Sequence, residues 1–305
     1  MLSALPGICG NVGDQPLEPE APPDPLALPT RAGRALIGWM TPEQGALTLA
    51  GRVNDGADEQ QLLGQVEAAR QAVAAREAGV AQDDLLQDVP PELAPFVTQL
   101  QAQENAAPFF HEGWEVKFAD LSRVCSLQQQ VLSEQASERV ASVAPDDIVS
   151  IAEVTLPAPT ETALPAQFDE VRNTWIIAAG NPNLKITGRF GGQLQPGAIG
   201  FGFLVGVMPS FVQVARHHGR YVLRDGYHRS YGLLARGITH APVFVRDFGV
   251  GDLGVGPGLF PTDVYLGDRP PLLADFLDEA VAADVRVPTA QKMLVVQGLE
   301  LTPLG

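Results

Sequence analysis

Apolar side chains recur with a helical period in several segments of the chain, and these segments predict its helices. Between Asp58 and Arg76 the apolar positions fall at i, i+4, i+7 and i+11, which is the spacing of a helix with one buried face. Gly79 follows as a stop signal. Four other segments also predict helices, at residues 90–103, 126–143, 146–156 and 269–285. The first and last of these carry paired prolines in their first turn, where proline is well tolerated.

Shorter apolar runs between turn residues predict the strands. They lie at residues 114–121, 173–180, 184–190, 209–216, 220–224, 241–248 and 292–301. The turn His217-His218-Gly219 joins two of these runs into a predicted hairpin. Because helices and strands alternate over most of the chain, we expect a mixed α/β fold.

Residues 220–248 combine a strand, a turn, a helix and a second strand. Tyr221-Val222-Leu223 predict the first strand, and Asp225 is a good N-cap for the helix that follows. Gly237 ends that helix. Its apolar face repeats at i, i+4, i+7 and i+11, with Tyr227, Tyr231, Leu234 and Ile238. We expect the two strands to be parallel, because a helix connects them.

Changes in amino-acid composition and pattern along the chain predict three parts. Residues 14–29 hold six prolines and four acids, so we expect residues 1–55 to form a flexible tail rich in proline and acids. Residues 56–105 are predicted to form an acidic helical extension. Residues 106–305, where strands become frequent, are predicted to form the main α/β domain.

Charge is distributed unevenly in this acidic protein. The 305 residues carry a net charge of −16, which argues against a surface built to bind nucleic acid. Residues 185–246 nevertheless hold eight Lys and Arg side chains, with Asp225 as their one acid. Four of the five histidines lie in the same segment. Such a local excess of positive charge indicates an anion-binding site.

Cysteine content and hydropathy indicate the cellular compartment in which we expect the protein. Only Cys9 and Cys125 are present, far apart in the chain, which excludes a disulfide framework and a cysteine zinc site. The first residues lack a basic leader, and no apolar run approaches the ~20 residues that span a bilayer. We therefore expect a cytoplasmic protein with no membrane partner and no strong nucleic-acid binding.

The start of the predicted helix in the basic segment is the strongest candidate site. Gly226, His228 and Arg229 lie where free backbone N–H groups and the positive end of the helix dipole attract anions. Arg229 can form a bidentate contact with a phosphate, and His228 can donate a hydrogen bond or carry a proton. The alternative is that Asp225 only caps the helix and that the arginines are solvated.

Residues 223–245, LRDGYHRSYGLLARGITHAPVFV, resemble the signature of the ParB/sulfiredoxin superfamily. The shared features are a strand, an Asp-Gly-x-His-Arg turn, an amphipathic helix, a glycine and a strand with a Pro-Val pair. Members include sulfiredoxins, ATP- or ADP-dependent free-serine kinases, nuclease-like proteins and CTP-binding partition proteins. The resemblance implies a ParB/sulfiredoxin-like domain over residues 106–305 that holds nucleotide phosphates at this turn. The nucleotide-binding residues it implies are Arg224, Gly226, Tyr227, His228, Arg229 and Ser230.

The chain departs from each branch of the superfamily. Sulfiredoxins carry a catalytic cysteine where this chain has Tyr227, so we do not expect sulfiredoxin activity. Partition proteins add a Glu-Asn-x-x-Arg box and a helix-turn-helix domain, and the sequence shows neither. The kinase branch shares the Asp-Gly-x-His-Arg turn best but needs a carboxylate base. Glu153 is a weak candidate for that base, and the alternative is a solvated helix acid.

These features lead to the hypothesis of a nucleotide-dependent enzyme that catalyses phosphoryl transfer or phosphoester hydrolysis. Asp225 and His228 are the predicted catalytic residues, with Asp225 also a candidate Mg²⁺ ligand and His228 the acid or base. The expected cofactor is a nucleoside tri- or diphosphate, ATP first, and the acceptor is a small molecule or a protein. The alternatives are a non-catalytic nucleotide-gated binding module and a structural scaffold of the same fold.

Three other segments are weaker candidates. Residues 249–254, GVGDLG, fit the pattern G-x-G-x-x-G, but Pro257 and Pro261 prevent the required helix, so we expect a flexible loop. His217-His218 have no neighbouring Cys, Asp or Glu in the sequence, which argues against a metal site. The glycine-rich residues 188–203 could cover the phosphate site as a lid.

Overall fold

The structure is a computed structural model that describes most of the chain from residue 30 onward. The described residues are 30–51, 58–159, 164, 166–179, 183–208, 210–254, 259–289 and 292–297. Helices and strands each account for 33% of the residues, and the strands form several sheets. The predicted mixed α/β class is therefore confirmed. Residues 1–29 of the predicted tail lie outside the described residues.

Eight α-helices and thirteen strands are found in the described residues. The helices are α1 Pro42–Ala50, α2 Glu59–Ala74, α3 Ala94–Gln101, α4 Ala107–His111, α5 Ser133–Arg139, α6 Ile148–Thr155, α7 Tyr227–Ala235 and α8 Thr262–Tyr265. The first eight strands are β1 Thr30–Ala35, β2 Leu86–Gln87, β3 Glu115–Asp120, β4 Gln130–Val131, β5 Ala166–Asp169, β6 Thr174–Ala179, β7 Leu184–Gln195 and β8 Ala198–Val207. The remaining strands are β9 Gln213–His217, β10 Arg220–Asp225, β11 His240–Gly249, β12 Ala283–Pro288 and β13 Lys292–Gln297.

Five strands form the central sheet, in the order β10-β9-β11-β3-β2. β9 and β10 pair antiparallel across the turn after His217, so the predicted hairpin is confirmed. β11 pairs parallel with β9 and antiparallel with β3. β10 and β11 therefore run in opposite directions on either side of β9, and the prediction of two parallel strands is wrong. The hairpin already occupies one edge of β9 with β10, so the chain returning from α7 pairs at the other edge.

Helix α7 joins the main hydrophobic core through its predicted apolar face. Tyr227, Tyr231, Leu234 and Ile238 are each 8% exposed or less. α5 approaches α7 closely at Gly232, where a Cβ atom would lie 2.7 Å from the carbonyl oxygen of Ala136. The contact requires a residue without a side chain, and it fixes the position of α7 against α5.

Residues well before position 56 belong to the fold, beginning with Thr30 among those that the structure describes. β1 pairs along its whole length with β12, and β4 pairs at the other edge of β1. Leu36 and Ile37 follow at 0% and 2% exposure. The predicted tail over residues 1–55 is therefore wrong for residues 30–51. The partner strand lies far away in the sequence (Arg34 on β1 and Asp284 on β12 are 250 residues apart), so local composition does not reveal it.

The helical extension predicted over residues 56–105 belongs to the same core. α2 starts directly after Asp58, where the sequence predicts the helix to begin. Asp58 is the N-cap, and the Asp58 side chain accepts a hydrogen bond from a backbone N–H of the first turn. Val66 and Ala69 are 0% and 3% exposed in the cluster that also contains the central sheet. The helix predicted over residues 90–103 is confirmed as a 3-10 turn followed by α3.

Two other predicted helices are corrected. Within residues 126–143 only α5 is helical, and two residues before it pair with β1 as β4. Residues 269–285 form a 3-10 turn at Leu273–Leu277 and then enter β12. β12 alternates between buried Ala283 and Val285 and exposed Asp284 and Arg286, which is the period of a strand. Pairing with β1 thus outweighs the local helical preference.

We call the elements described so far the body. Two smaller sheets lie beside the body. The first, the side sheet, has the antiparallel order β13-β6-β5. The second, the apolar arm, is the β7–β8 hairpin of residues 184–207, whose strands pair with each other and with no other strand in the described residues. Strands predicted at residues 173–180, 184–190 and 292–301 are confirmed as β6, β7 and β13, and residues 298–301 lie outside the described residues.

The apolar arm and the side sheet hold most of the exposed large apolar side chains. Of sixteen such side chains in the described residues, twelve lie here. They are Phe168, Val171, Trp175, Ile186, Phe190, Leu194, Ile199, Phe201, Phe203, Leu204, Val295 and Val296. A cleft of about 470 Å³ lies between the two sheets, with Trp175 on one wall and Phe203 on the other. No helix in the described ranges is both long enough and apolar enough to cross a membrane.

Candidate functional site

A cavity of about 180 Å³ lies at the N-terminus of α7. Five of the predicted site residues line it, in the consecutive segment from Asp225 to Arg229. The remaining lining residues come from four separate parts of the chain and are Gln128, Gln135, Arg139, Asn183 and Ser210. The fold therefore brings side chains from α5 and from both ends of the apolar arm to the predicted turn.

Helix α7 begins at a glycine rather than at an aspartate cap. The N-cap is Gly226, in the left-handed region at φ 97°, and no side chain caps the helix. A Cβ atom at Gly226 would lie 2.9 Å from the Cα atom of Val212, so both its conformation and its surroundings favour glycine. Asp225 ends β10, and its Oδ1 accepts a hydrogen bond from the Gly226 N–H at 2.6 Å. The prediction of Asp225 as N-cap is therefore wrong.

The uncapped start of α7 leaves backbone donors beside the cavity. The first N–H groups of a helix have no partner within the helix, and here these belong to Tyr227, His228 and Arg229. All three residues line the cavity. Their N–H groups and the positive end of the helix dipole favour an anion at this position.

Arg229 is buried and holds three segments of the body together. It is 5% exposed, and its Nη1 donates to the carbonyl oxygen of Val154 at the end of α6 (3.1 Å). Nη1 also donates to the carbonyl oxygen of Ser210, and Nη2 donates to Ser210 Oγ at 2.6 Å. Burial lowers the pKa of Arg229 to about 10, while the Asp225 carboxylate acts in the opposite direction. Much of the guanidinium predicted to bind phosphate is thus engaged with the protein.

Arg139 is the cation that the sequence did not predict at this site. It ends α5, is half-buried and lines the cavity. Among the residues that the structure describes, no ion pair or hydrogen bond engages its guanidinium. It is close enough to His228 and Arg229 to lower the pKa of both. In the sequence Arg139 is one basic residue of a helix remote from the motif, so no local signal distinguishes it.

The two predicted catalytic residues have pKa values shifted in opposite directions. Burial, with smaller contributions from Arg139 and Arg229, lowers the pKa of His228 to about 4. The ring is therefore neutral near pH 7. Burial raises the pKa of Asp225 above its ordinary value, while Arg229 and the Gly226 N–H act in the opposite direction. Asp225 remains the better candidate for proton transfer at this cavity, since its pKa is displaced toward neutrality.

Tyr227, which the sequence resemblance aligns with the sulfiredoxin cysteine, is a buried structural residue. Its hydroxyl donates to the carbonyl oxygen of Leu223 at 2.5 Å and accepts from the Leu127 N–H at 2.8 Å. Burial raises its pKa well above the ordinary range of tyrosine. With its hydroxyl engaged on both sides, the Tyr227 side chain links the turn to the segment before β4.

Two predicted phosphate ligands do not face the cavity. Arg224 lies elsewhere: its Nε donates to the carbonyl oxygen of Leu253 at 2.7 Å, and its guanidinium is 5.6 Å from the centre of the Trp114 ring. Ser230 is 0% exposed, and its Oγ has no hydrogen-bond partner in the described residues. Neither side chain lines the cavity. Alternation along β10 and the rotation of α7 place them on other faces.

The weaker candidates also have definite positions. Glu153 is exposed on α6 and does not line the cavity, as expected of a solvated helix acid. Residues 188–203 lie within the apolar arm and contribute nothing to the cavity wall, so they do not form the predicted lid. Residues 250–254 contain no helix, as expected for a loop. Among the described residues, no three His, Cys, Asp or Glu side chains are close enough to hold a metal ion.

Comparisons with models of protein families, with curated proteins and with solved structures found no match to this chain.

Proposed function

We propose that this protein binds the phosphate groups of a nucleotide in the cavity at the start of α7. The observation that supports this most directly is Arg139, a cation without a partner among the described residues, beside an uncapped helix N-terminus. Arg139 and Arg229 bring two positive charges to the cavity wall, and Asp225 brings one negative charge. A phosphate would balance this excess and accept hydrogen bonds from the α7 backbone.

The size of the cavity fits phosphates better than a whole nucleotide. Its volume of about 180 Å³ is below the ~300–1,000 Å³ of sites that enclose a drug-sized ligand. The phosphates would therefore occupy the cavity, and the sugar and base would lie outside it. Side-chain amides of Gln128 and Gln135 on the wall supply further hydrogen-bond donors for phosphate oxygens.

The reaction we propose is phosphoryl transfer or phosphoester hydrolysis, with Asp225 as the acid or base. This reaction needs mainly positioning and neutralisation of charge, and Arg139, Arg229 and the helix start supply positive charge. His228, neutral near pH 7, would contribute a hydrogen bond rather than a charge. Asp225 is the one carboxylate among the described residues that line the cavity, so a Mg²⁺ ion there would take its other ligands from phosphates and water.

The second candidate is a non-catalytic module that binds nucleotide and changes its affinity for a partner. The low pKa of His228, about 4, favours this alternative, because such a ring is a weak base at neutral pH. ATP remains the first nucleotide to test, and the acceptor in the enzymatic case would be a small molecule or another protein.

The test is a binding screen with the full chain. ATP, ADP, CTP and GTP are each added with and without Mg²⁺, and melting temperature and heat of binding are recorded. A ligand at 100 times its dissociation constant should stabilise the fold by about 2.7 kcal/mol. Release of inorganic phosphate or transfer to an acceptor would identify an enzyme, and binding without turnover would identify the module. No binding of any nucleotide at millimolar concentration would contradict the proposal.

A matched pair of arginine variants makes the screen specific for the cavity. Arg139→Ala should weaken nucleotide binding about 10- to 150-fold, since a charge-assisted contact contributes about 1.5–3 kcal/mol. Arg216→Ala is the control, because Arg216 is 51% exposed on β9 and lies outside the cavity. Equal affinities for the two variants would show that the nucleotide binds elsewhere.

A further inference from the structure

The apolar arm and the side sheet concentrate exposed apolar side chains in one part of the molecule. The twelve side chains named above are 40–96% exposed. Since a large aromatic side chain covers about 150–250 Å², the twelve exposed side chains present on the order of 1,000 Å² of apolar surface. This area is divided between two faces of the arm, with Ile199, Phe201 and Phe203 on one face and Phe190 and Leu194 on the other. A partner that buries the ~800 Å² of a standard interface would therefore have to cover both faces, as a cleft around the arm does.

The strands of the apolar arm also have unpaired edges. β7 and β8 pair only with each other in the described residues, over twelve and ten residues. An isolated two-stranded hairpin is marginally stable in water, and it becomes stable when a further strand or an apolar surface covers it. The arm is thus incomplete by itself, both in hydrogen bonding and in burial.

The same surface carries two complementary shapes. The tip of the arm projects Leu194 and Ile199, each 76% exposed. The cleft of about 470 Å³ at the side sheet is lined by apolar groups, including Trp175 and Phe203. An apolar projection and an apolar cleft on one molecule allow a closed two-fold arrangement, in which each copy fills the cleft of the other.

Charge disfavours contact between two copies through the rest of the molecule more than through this surface. Arg172, Lys185, Arg189 and Lys292 balance only Asp169 and Glu170 in the two sheets, which gives a net charge of +2. The whole chain carries −16, so the remainder carries −18. Two copies therefore repel each other over the rest of their surfaces, and they approach with least repulsion at the arm and the side sheet.

We propose that the apolar arm is a self-association element, and that the arm tip of one copy occupies the cleft of a second copy. The contact is reciprocal, so that each dimer contains two equivalent tip-to-cleft contacts. This inference is independent of the nucleotide site, because none of the arm residues 184–207 lines the cavity at α7.

The test is the molar mass of the full chain in solution, measured by sedimentation equilibrium between micromolar and 100 micromolar protein. The wild type should have the mass of two chains. Leu194→Asp at the tip and Trp175→Ser in the cleft should each raise the dimer dissociation constant about 30-fold or more, as expected for an anchor residue. Leu47→Asp is the matched control, because Leu47 is 77% exposed on α1, and it should leave the dimer unchanged.

Mixing the two arm variants tests the reciprocal contact. The Leu194→Asp chain retains an intact cleft, and the Trp175→Ser chain retains an intact tip. Their mixture should form heterodimers through one intact contact, with higher affinity than either variant shows for itself. A wild type that is monomeric at 100 micromolar would overturn the proposal, as would a Leu47→Asp chain that dissociates as readily as Leu194→Asp.

Discussion

The body and the apolar arm stabilise their strands in different ways. In the body, β11 pairs with a neighbour on each edge, and Val243 and Phe244 on it are fully buried. In the arm, β8 pairs on one edge only among the described residues, and Phe201 is 73% exposed. Both regions therefore contain hydrogen-bonded strands, but the body buries its strands and the arm leaves them exposed. In the self-association that we propose, a second copy supplies the burial that the arm lacks.

The two regions meet at the cavity. The Met208 N–H donates to the carbonyl oxygen of Asn183 at 3.0 Å, which closes the base of the arm. Asn183 and Ser210, on either side of that base, line the cavity, and Arg229 donates to Ser210. The difference between the buried strands of the body and the exposed strands of the arm can thus be tested by substitutions in the body, at the cavity where the two regions meet, and in the arm.

The largest effect is expected for Arg229→Ala. The substitution removes three hydrogen bonds of a buried guanidinium and leaves their oxygen acceptors without a donor, so the free energy of unfolding should fall by about 3–5 kcal/mol. Arg229→Lys should recover only part of this, since an ammonium cannot reproduce the planar contacts. Chemical denaturation measures both variants.

The exposed Arg216→Ala is the control for Arg229 and should change stability by less than about 0.5 kcal/mol. A small loss for Arg229→Ala combined with lost nucleotide affinity would instead identify Arg229 as a ligand contact. Arg229 would then form the bidentate contact with a phosphate that the sequence indicates.

A smaller effect is expected from the titration of His228. Its folded pKa of about 4 lies below its ordinary 6.5, so between these pH values the unfolded chain binds a proton that the folded chain does not. Folding stability should therefore fall as the pH drops from 7 to 4, by up to about 3 kcal/mol from this residue. The raised pKa of Asp225 has the opposite effect on stability. Because the folded chain binds this proton more readily than the unfolded chain does, acidification stabilises the folded state at Asp225.

The measurement for His228 is the stability of wild type and His228→Asn across this pH range. His228→Asn should be less sensitive to acid than the wild type, while His111→Asn, at an exposed position on α4, should match the wild type. Equal slopes for wild type and His228→Asn would show that the ring is well solvated at the cavity.

The smallest effect is expected in the arm. Phe201→Ser should change the unfolding free energy of the body by less than about 0.5 kcal/mol when measured at submicromolar protein, where a dimer would be dissociated. The reason is that Phe201 is already 73% exposed. A loss comparable to that of Arg229→Ala would mean that the arm packs on the body, and the contrast between the two regions would fail.

Local patterns predicted the elements whose partners are near in sequence. The β9–β10 hairpin depends on one turn, and the buried face of α7 depends on a spacing within one helix, so both were predictable. β12 was predicted as helix, and β1 was predicted as tail. Each acquires its structure from the other, across most of the chain, and local propensity carries no information about such a pairing.

The candidate site was predictable to a similar degree. The consecutive turn from Asp225 to Arg229 lines the cavity, as the motif indicated. Arg139 was missed because α5 reaches the cavity only through its packing on α7 at Gly232. Arg224 and Ser230 were included because a motif shows which residues are adjacent in sequence, but not which way each side chain points.

The pairing of β1 with β12 has a consequence for synthesis of the chain. β1 leaves the ribosome before its partner strand, which is made some 250 residues later. At about 5–20 residues per second this delay is roughly 10 to 50 s. During that time β1 lacks the partner that pairs with its whole length, although β4, at its other edge, is made earlier. The sheet β12-β1-β4 is therefore complete only after β12 has been made, and its assembly is expected to be the slow step of folding.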